Sequence, residues 1–213
     1  MTKLWTLIPA KSFATAKQRL HPVLAPDARA SLSAFLLTRT INIVREAMGD
    51  MPVAVVSSDP AVAASARAAG VDWVQQSARS GLNEELRDAA EMLSAGAGCL
   101  VIHTDLPLLQ AADISALLAV PGDVVLASDH TGTGTNAMLH RAKTSPIFAF
   151  GSDSFRRHAE TYHARGLQTA TIIRTGLARD LDEPNDLQFL EKVADPELKA
   201  LLSSVHSRHS DDG

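Results

Sequence analysis

Cysteine is nearly missing from this chain. The single thiol, Cys99, excludes an internal disulfide and any site built from several cysteines. A chain without disulfides fits a reducing compartment, so the cytoplasm is the expected location. A surplus of positive charge is missing too. The 20 Lys and Arg form no block and are outnumbered by 24 Asp and Glu, giving a net charge of -4. The basic stripe of a nucleic-acid binder is absent, and any polyanion bound is expected to be small. No uncharged apolar run reaches the roughly 18 residues that a membrane span needs. The apolar stretch after Met1-Thr2-Lys3 runs only from Leu4 to Ala10 before Lys11 cuts it, too short for a signal-peptide core with its cleavage site. Neither an internal repeat nor a long Gly/Ser linker divides the 213 residues, and 46% apolar content suffices for a buried core. The expectation is a soluble protein with one domain over residues 1–202 and a flexible tail over 203–213, where apolar residues almost vanish. Nothing in this composition speaks against a homo-oligomer.

Apolar segments alternate in type along the chain. Leu4–Pro9 predicts a buried strand that leads into a polar loop, Ala10–His21. Pro26-Asp27 starts a helix ending near Met48, with Leu32, Phe35, Leu36, Ile41 and Val44 on or near one face and Gly49 as its stop. Val53–Val56 predicts a strand and is followed by an Ala-rich helix to Ala69. Val71–Val74 predicts a strand, Asn83–Ala95 a helix and Leu100–His103 a strand. Ala112–Leu118 then predicts a helix, Val124–Ala127 a strand, Ser152–Arg165 a helix, Thr169–Ile173 a strand and Pro184–Val193 the last helix. Parallel strands need crossover connections, so this alternation predicts an α/β fold with a mostly parallel sheet and helices on both faces.

In such a sheet, ligands collect beyond the carboxyl ends of the strands, so residues just after strands carry most weight. Lys11, Lys17 and Arg19 place three cations after the first strand, suited to a triphosphate or, alternatively, forming a solvated basic loop. Neither a Walker A motif nor Gly-x-Gly-x-x-Gly is present to supply backbone donors. Asp105, fixed by Leu106-Pro107 after an apolar strand, is a candidate Mg²⁺ carboxylate or a turn residue. Asp180-Leu181-Asp182 puts both carboxylates on one face if extended, with Asp182 either a second metal ligand or the cap of the last helix. Gly132-Thr133-Gly134-Thr135-Asn136 combines glycines that allow close backbone approach with neutral donors. Gly151-Ser152-Asp153-Ser154 opens a helix whose N-terminus suits an anion or is simply capped. Gly81-Leu82-Asn83 either caps the next helix or touches a base or ribose. Eight histidines at irregular spacing show no metal-ligand pattern, so His103, His140 and His158 read as surface or core residues. Cys99 reads as core.

Taken as an ordered series, Ile8-Pro9-Ala10-Lys11, Ala16-Lys17-Gln18-Arg19-Leu20, Gly81-Leu82-Asn83, Asp105-Leu106-Pro107, Gly132 to Ala137, Phe150 to Phe155 with His158, and Asp180 to Leu187 resemble the 2-phospholactate guanylyltransferase family of coenzyme F420 biosynthesis. The likeness spans residues 4 to 190. It implies a Rossmann-like fold of the nucleotide-diphospho-sugar transferase type and Mg²⁺ as cofactor. The implied substrates are GTP and a small phosphorylated acid: 2-phospho-L-lactate, phosphoenolpyruvate or 3-phospho-D-glycerate. It implies Asp105 and Asp182 as metal carboxylates and Lys17 and Arg19 as further catalytic groups. Pro9, Ala10, Lys11, Lys17, Gly81 and Asn83 are implied around the nucleotide, and Asn136, Gly151 and Ser154 around the acceptor. Some relatives carry threonine where this chain has Asn136. The first loop also lacks the Gly-Gly run of many sugar-nucleotide and molybdenum-cofactor nucleotidyltransferases. The alternatives are transfer to a sugar or molybdopterin phosphate on the same fold, and a nucleotide-binding module without turnover.

Overall fold

The computed structural model describes residues 4–75, 81–93, 97–141 and 143–210, with side chains described up to residue 204. In chain order the elements are β1 (Leu4–Pro9), α1 (Pro26–Met48), β2 (Val53–Ser57), α2 (Pro60–Ala68), β3 (Asp72–Gln75), α3 (Leu82–Leu93), β4 (Gly98–Ile102) and α4 (Ala111–Ala119). They continue with β5 (Val124–Ser128), β6 (Thr135–His140), α5 (Ser154–Ala164), β7 (Thr169–Ile172), α6 (Thr175–Ala178), α7 (Pro184–Val193) and α8 (Pro196–Ser210). The expected helix end at Ala95 lies outside the described residues. Among the described residues no helix is long and apolar enough to cross a membrane.

The seven strands form one sheet in the order β3-β2-β1-β4-β6-β5-β7. All pairings are parallel except those of β6, which runs antiparallel to both β4 and β5. The central strands are buried along nearly their whole length because both faces are covered. Ile8, Val53, Val55, Leu100 and Ile102 point to one side, into a core with Leu37, Ile41 and Val44 of α1, Val62 of α2 and Leu117 of α4. Trp5, Leu7, Ala54, Val56 and Val101 point to the other, against Leu86 and Ala89 of α3 and Tyr162 of α5. This is the period-2 alternation of a strand applied to a sheet buried twice.

Pro184–Val193 is not the last helix expected there, since α8 follows it and runs to Ser210. Leu198 and Leu202, one turn apart, join a third core in which Leu20, Leu24, Ala28, Leu32 and Leu36 meet Leu181, Leu187 and Leu190. That apolar pair anchors a helix whose remaining residues are mostly polar. Asp182 is not the cap of α7. Glu183 holds that position, in a capping box with Asp186.

Candidate active site

The strand order reverses between β1 and β4. From β1 the chain steps outward through β2 and β3, then returns to place β4 on the other flank of β1. Connections leaving a switch point diverge to opposite sides and open a crevice beyond the strand ends. A cavity of about 570 Å³ lies there. Its wall includes Pro9, Ala10, Lys11 and Lys17 from the loop after β1, Gly81 beside α3, Asp105 after β4, Gly151 before α5, and Asp182 before α7.

Lys17 is the junction of this wall. Its Nζ lies 3.1 Å from Asp182 Oδ1 and 3.4 Å from Asp105 Oδ2, and only 9% of its side chain is exposed. The backbone there is left-handed, with φ 54°, a conformation that an L side chain adopts only when the surroundings enforce it. Burial pulls the ammonium pKa down, but Asp105 and Asp182 more than offset it and hold the group charged. Burial likewise pushes Asp105 up, and the neighbouring Lys17 and His103 bring it below the ordinary carboxylate range. The two carboxylates are joined through the backbone as well, since Leu181 N donates to Asp105 O at 2.9 Å.

Asp105 Oδ1 is buried and meets no hydrogen-bond partner. Two carboxylates beside one ammonium, one of them with an unused oxygen, fit a hard cation such as Mg²⁺, which takes one or two protein carboxylates and completes its shell with phosphate oxygens and water. Among the described residues no group of three or more His, Cys, Asp or Glu side chains gathers to hold a metal alone. Asp180 faces away from Lys17, 3.8 Å from His130 Nδ1. Burial, then the negative charges of Asp105, Asp182 and Asp129, push it up to about 6.

Four residues expected at ligands are not on the cavity wall. Arg19 is 72% exposed and points to Glu183 Oε1 at 3.8 Å. Asn83 donates to Phe150 O at 3.1 Å and accepts from Phe150 N at 2.7 Å, tying the start of α3 to the segment before Gly151. Asn136 is buried and donates to Leu177 O at 3.0 Å. Ser154 is buried and accepts from Thr135 N at 2.9 Å. Short polar side chains that satisfy buried backbone groups position the chain instead of meeting solvent. The hydroxyl-rich Gly132–Asn136 loop is absorbed similarly. Thr131 and Thr133 bond Asp129, and Thr135 Oγ1 lies 3.0 Å from His158 Nδ1.

The wall also includes residues that the sequence did not single out for a ligand, among them Phe13, Ser33, Leu36, Glu85, His103 and Thr104. His103 carried a signal, since it directly follows β4. Burial, opposed in part by Asp105, lowers its pKa below the ordinary histidine range. Ser33 and Leu36 sit inside α1 and carry no local sign of a site.

The model of the family described as "Guanylyl transferase CofC like" matches residues 4–205. A protein of Rubrobacter xylanophilus named phosphoenolpyruvate guanylyltransferase is 39% identical over 193 residues, covering 88% of this chain and 93% of its own. Among solved structures, a Desulfovibrio desulfuricans protein described as a nucleotide-diphospho-sugar transferase superposes with TM-score 0.69 at 16% identity, covering 96% of this chain and 99% of its own. A Mycobacterium tuberculosis protein solved in complex with manganese gives 0.56 at 19% identity, covering 91% and 100%. These likenesses agree with the α/β fold of the nucleotide-diphospho-sugar transferase type.

Proposed function

This chain belongs to the family of CofC-like guanylyl transferases, and on that premise we propose that it moves GMP from GTP onto the phosphate of a small phosphorylated acid. Pyrophosphate is released. The acceptor is phosphoenolpyruvate, 2-phospho-L-lactate or 3-phospho-D-glycerate, and the step serves coenzyme F420 biosynthesis. Phosphoenolpyruvate has the support of the relatives' names.

The observation that carries the reading is the junction of Lys17 with Asp105 and Asp182 at the crevice. The acceptor phosphate is already anionic at neutral pH. It can attack the α-phosphorus of GTP without a strong general base, forming one P–O bond as the bond to the β-phosphate bridging oxygen breaks. The reaction then needs positioning and charge neutralisation. Lys17 and Lys11 supply fixed positive charge toward the phosphates. Asp105 and Asp182 would hold Mg²⁺, which when bound neutralises phosphate charge. Gly151, at φ 115° where a side chain is strained, leaves its backbone open at the start of α5 for the acceptor anion. Asn83, Asn136 and Ser154 keep that side in place through their backbone bonds. Arg19 serves from the rim.

Pyrophosphate release tests this reading. With Mg²⁺ and phosphoenolpyruvate, GTP should support release and CTP should not. Equal use of CTP, or release that ignores the acid, would point to sugar-phosphate transfer or to a different reaction.

A further inference from the structure

Arg29 is a buried cation without an anion. It is 7% exposed, its Nε and Nη1 are both buried without a hydrogen-bond partner, and among the described residues it forms no ion pair. A guanidinium cannot shed its proton to escape such a place. An uncompensated buried charge is among the more destabilising features a fold can carry. It persists where something outside the free protein relieves it.

Its position says what that is. Arg29 sits in the first turn of α1, and Ser33 Oγ donates to its carbonyl at 2.8 Å. Arg29, Ser33 and Leu36, spaced four and three apart, follow one face of the helix; Ser33 and Leu36 line the crevice, and Arg29, not itself on its wall, lies one turn before Ser33. Helical side chains lean toward the N-terminus. Because α1 returns the chain from the end of β1 to the start of the parallel strand β2, its N-terminus lies at the carboxyl edge of the sheet, beside the loop that carries Lys11 and Lys17. Gly151 belongs to a different connection, the one before α5.

We propose that Arg29 is a further binding residue of the crevice, taking the polyphosphate of the nucleotide with its planar donor fork when the ligand enters. This rests on the reading of the crevice as a nucleoside triphosphate site. The inference goes beyond it by naming a residue with no local motif and by giving it a cost in the free protein.

The test uses Arg29→Met, which keeps length and removes charge, and Arg29→Lys, which keeps charge and removes the fork. Thermal unfolding is followed with and without Mg²⁺ and inorganic pyrophosphate, and KM is measured separately for GTP and for phosphoenolpyruvate. Arg29→Met is expected to unfold at the same or a higher temperature than the natural protein without ligand. It should lose most of the rise in midpoint caused by pyrophosphate and raise the KM for GTP at least tenfold, with that for phosphoenolpyruvate within twofold. Arg29→Lys should fall between the two. An Arg29→Met protein that unfolds earlier yet keeps the full pyrophosphate response, or one whose KM rises only for phosphoenolpyruvate, overturns the assignment. If Arg29→Met does not fold, an Arg29→Lys protein with an undiminished pyrophosphate response overturns it equally. A natural protein that responds neither to pyrophosphate nor to GTP overturns the nucleotide reading itself, and this assignment with it.

Discussion

Lys17 Nζ and Asp182 Oδ1, 165 positions apart in sequence, meet at 3.1 Å. The same ammonium reaches Asp105, so one side chain connects the loop after the first strand with the loop after β4 and with the segment between α6 and α7. Positive charge at this point is a counterion to both carboxylates, and under the proposed function it would also bind phosphate. Lys17→Ala should therefore lower kcat/KM for GTP by roughly tenfold to a hundredfold, the scale of one charge-assisted hydrogen bond of about 1.5–3 kcal/mol. Initial rates at varied GTP check this.

Asp105→Asn and Asp182→Asn keep the shape of each side chain and remove its negative charge. Each should abolish most turnover at saturating Mg²⁺, while circular dichroism stays that of the natural protein. Full activity in either variant removes that residue from the metal site.

Asn83 ties the start of α3 to the segment before Gly151. Its two bonds to Phe150 hold the segment that presents Gly151 to the crevice. Asn83→Ala leaves the Phe150 N–H without its partner, a loss of about 1–3 kcal/mol in local order, while the Phe150 carbonyl keeps the bond from Arg157 at 3.1 Å. KM for the acceptor acid should rise more than KM for GTP. A rise confined to GTP would instead place Asn83 at the nucleotide.

Acid should weaken the fold through two buried histidines. His158 accepts from Ala149 N at 2.9 Å through Nε2, and His140 is fully buried with both ring nitrogens unpaired. Burial holds both at about 4 in the folded protein, against an ordinary value near 6.5. A depressed folded pKa favours the neutral ring, so the stability it contributes is present above about pH 6.5 and is lost as pH falls toward 4. Each histidine contributes on the order of 3 kcal/mol to that loss, from roughly 2.5 units at 1.36 kcal/mol each. Urea unfolding between pH 7 and 4 should show it, and His140→Leu should flatten the curve. An unchanged slope in that variant would exonerate His140.

The strands were legible because apolar runs such as Val53–Val56 and Val124–Ala127 have one physical explanation, burial on both faces. β6 was not, since Thr135, Asn136 and His140 break its apolar run. α8 was obscured because Leu198 and Leu202 make a narrow apolar stripe in a polar segment. At the site, Lys17 and Asp105 were legible from their places after strands, and Asp182 from the spacing of Asp180-Leu181-Asp182. The expectation of direct ligand contact for Asn83, Asn136 and Ser154 came from the family resemblance. Their engagement by backbone groups of Phe150, Leu177 and Thr135 appears only in three dimensions. Arg29 lies within a helix pattern where a charged residue reads as solvent-facing, so its burial had no local sign.

The account stands most directly on the product of one reaction. Purified protein is incubated with GTP, Mg²⁺ and, in separate vessels, phosphoenolpyruvate, 2-phospho-L-lactate and 3-phospho-D-glycerate, and the products are identified by mass. At least one acid should gain a GMP unit through a new phosphate–phosphate linkage, with one pyrophosphate released per acid consumed and none with Asp105→Asn. GTP left intact with all three acids, or pyrophosphate formed without any guanylylated acid, would contradict the proposed function.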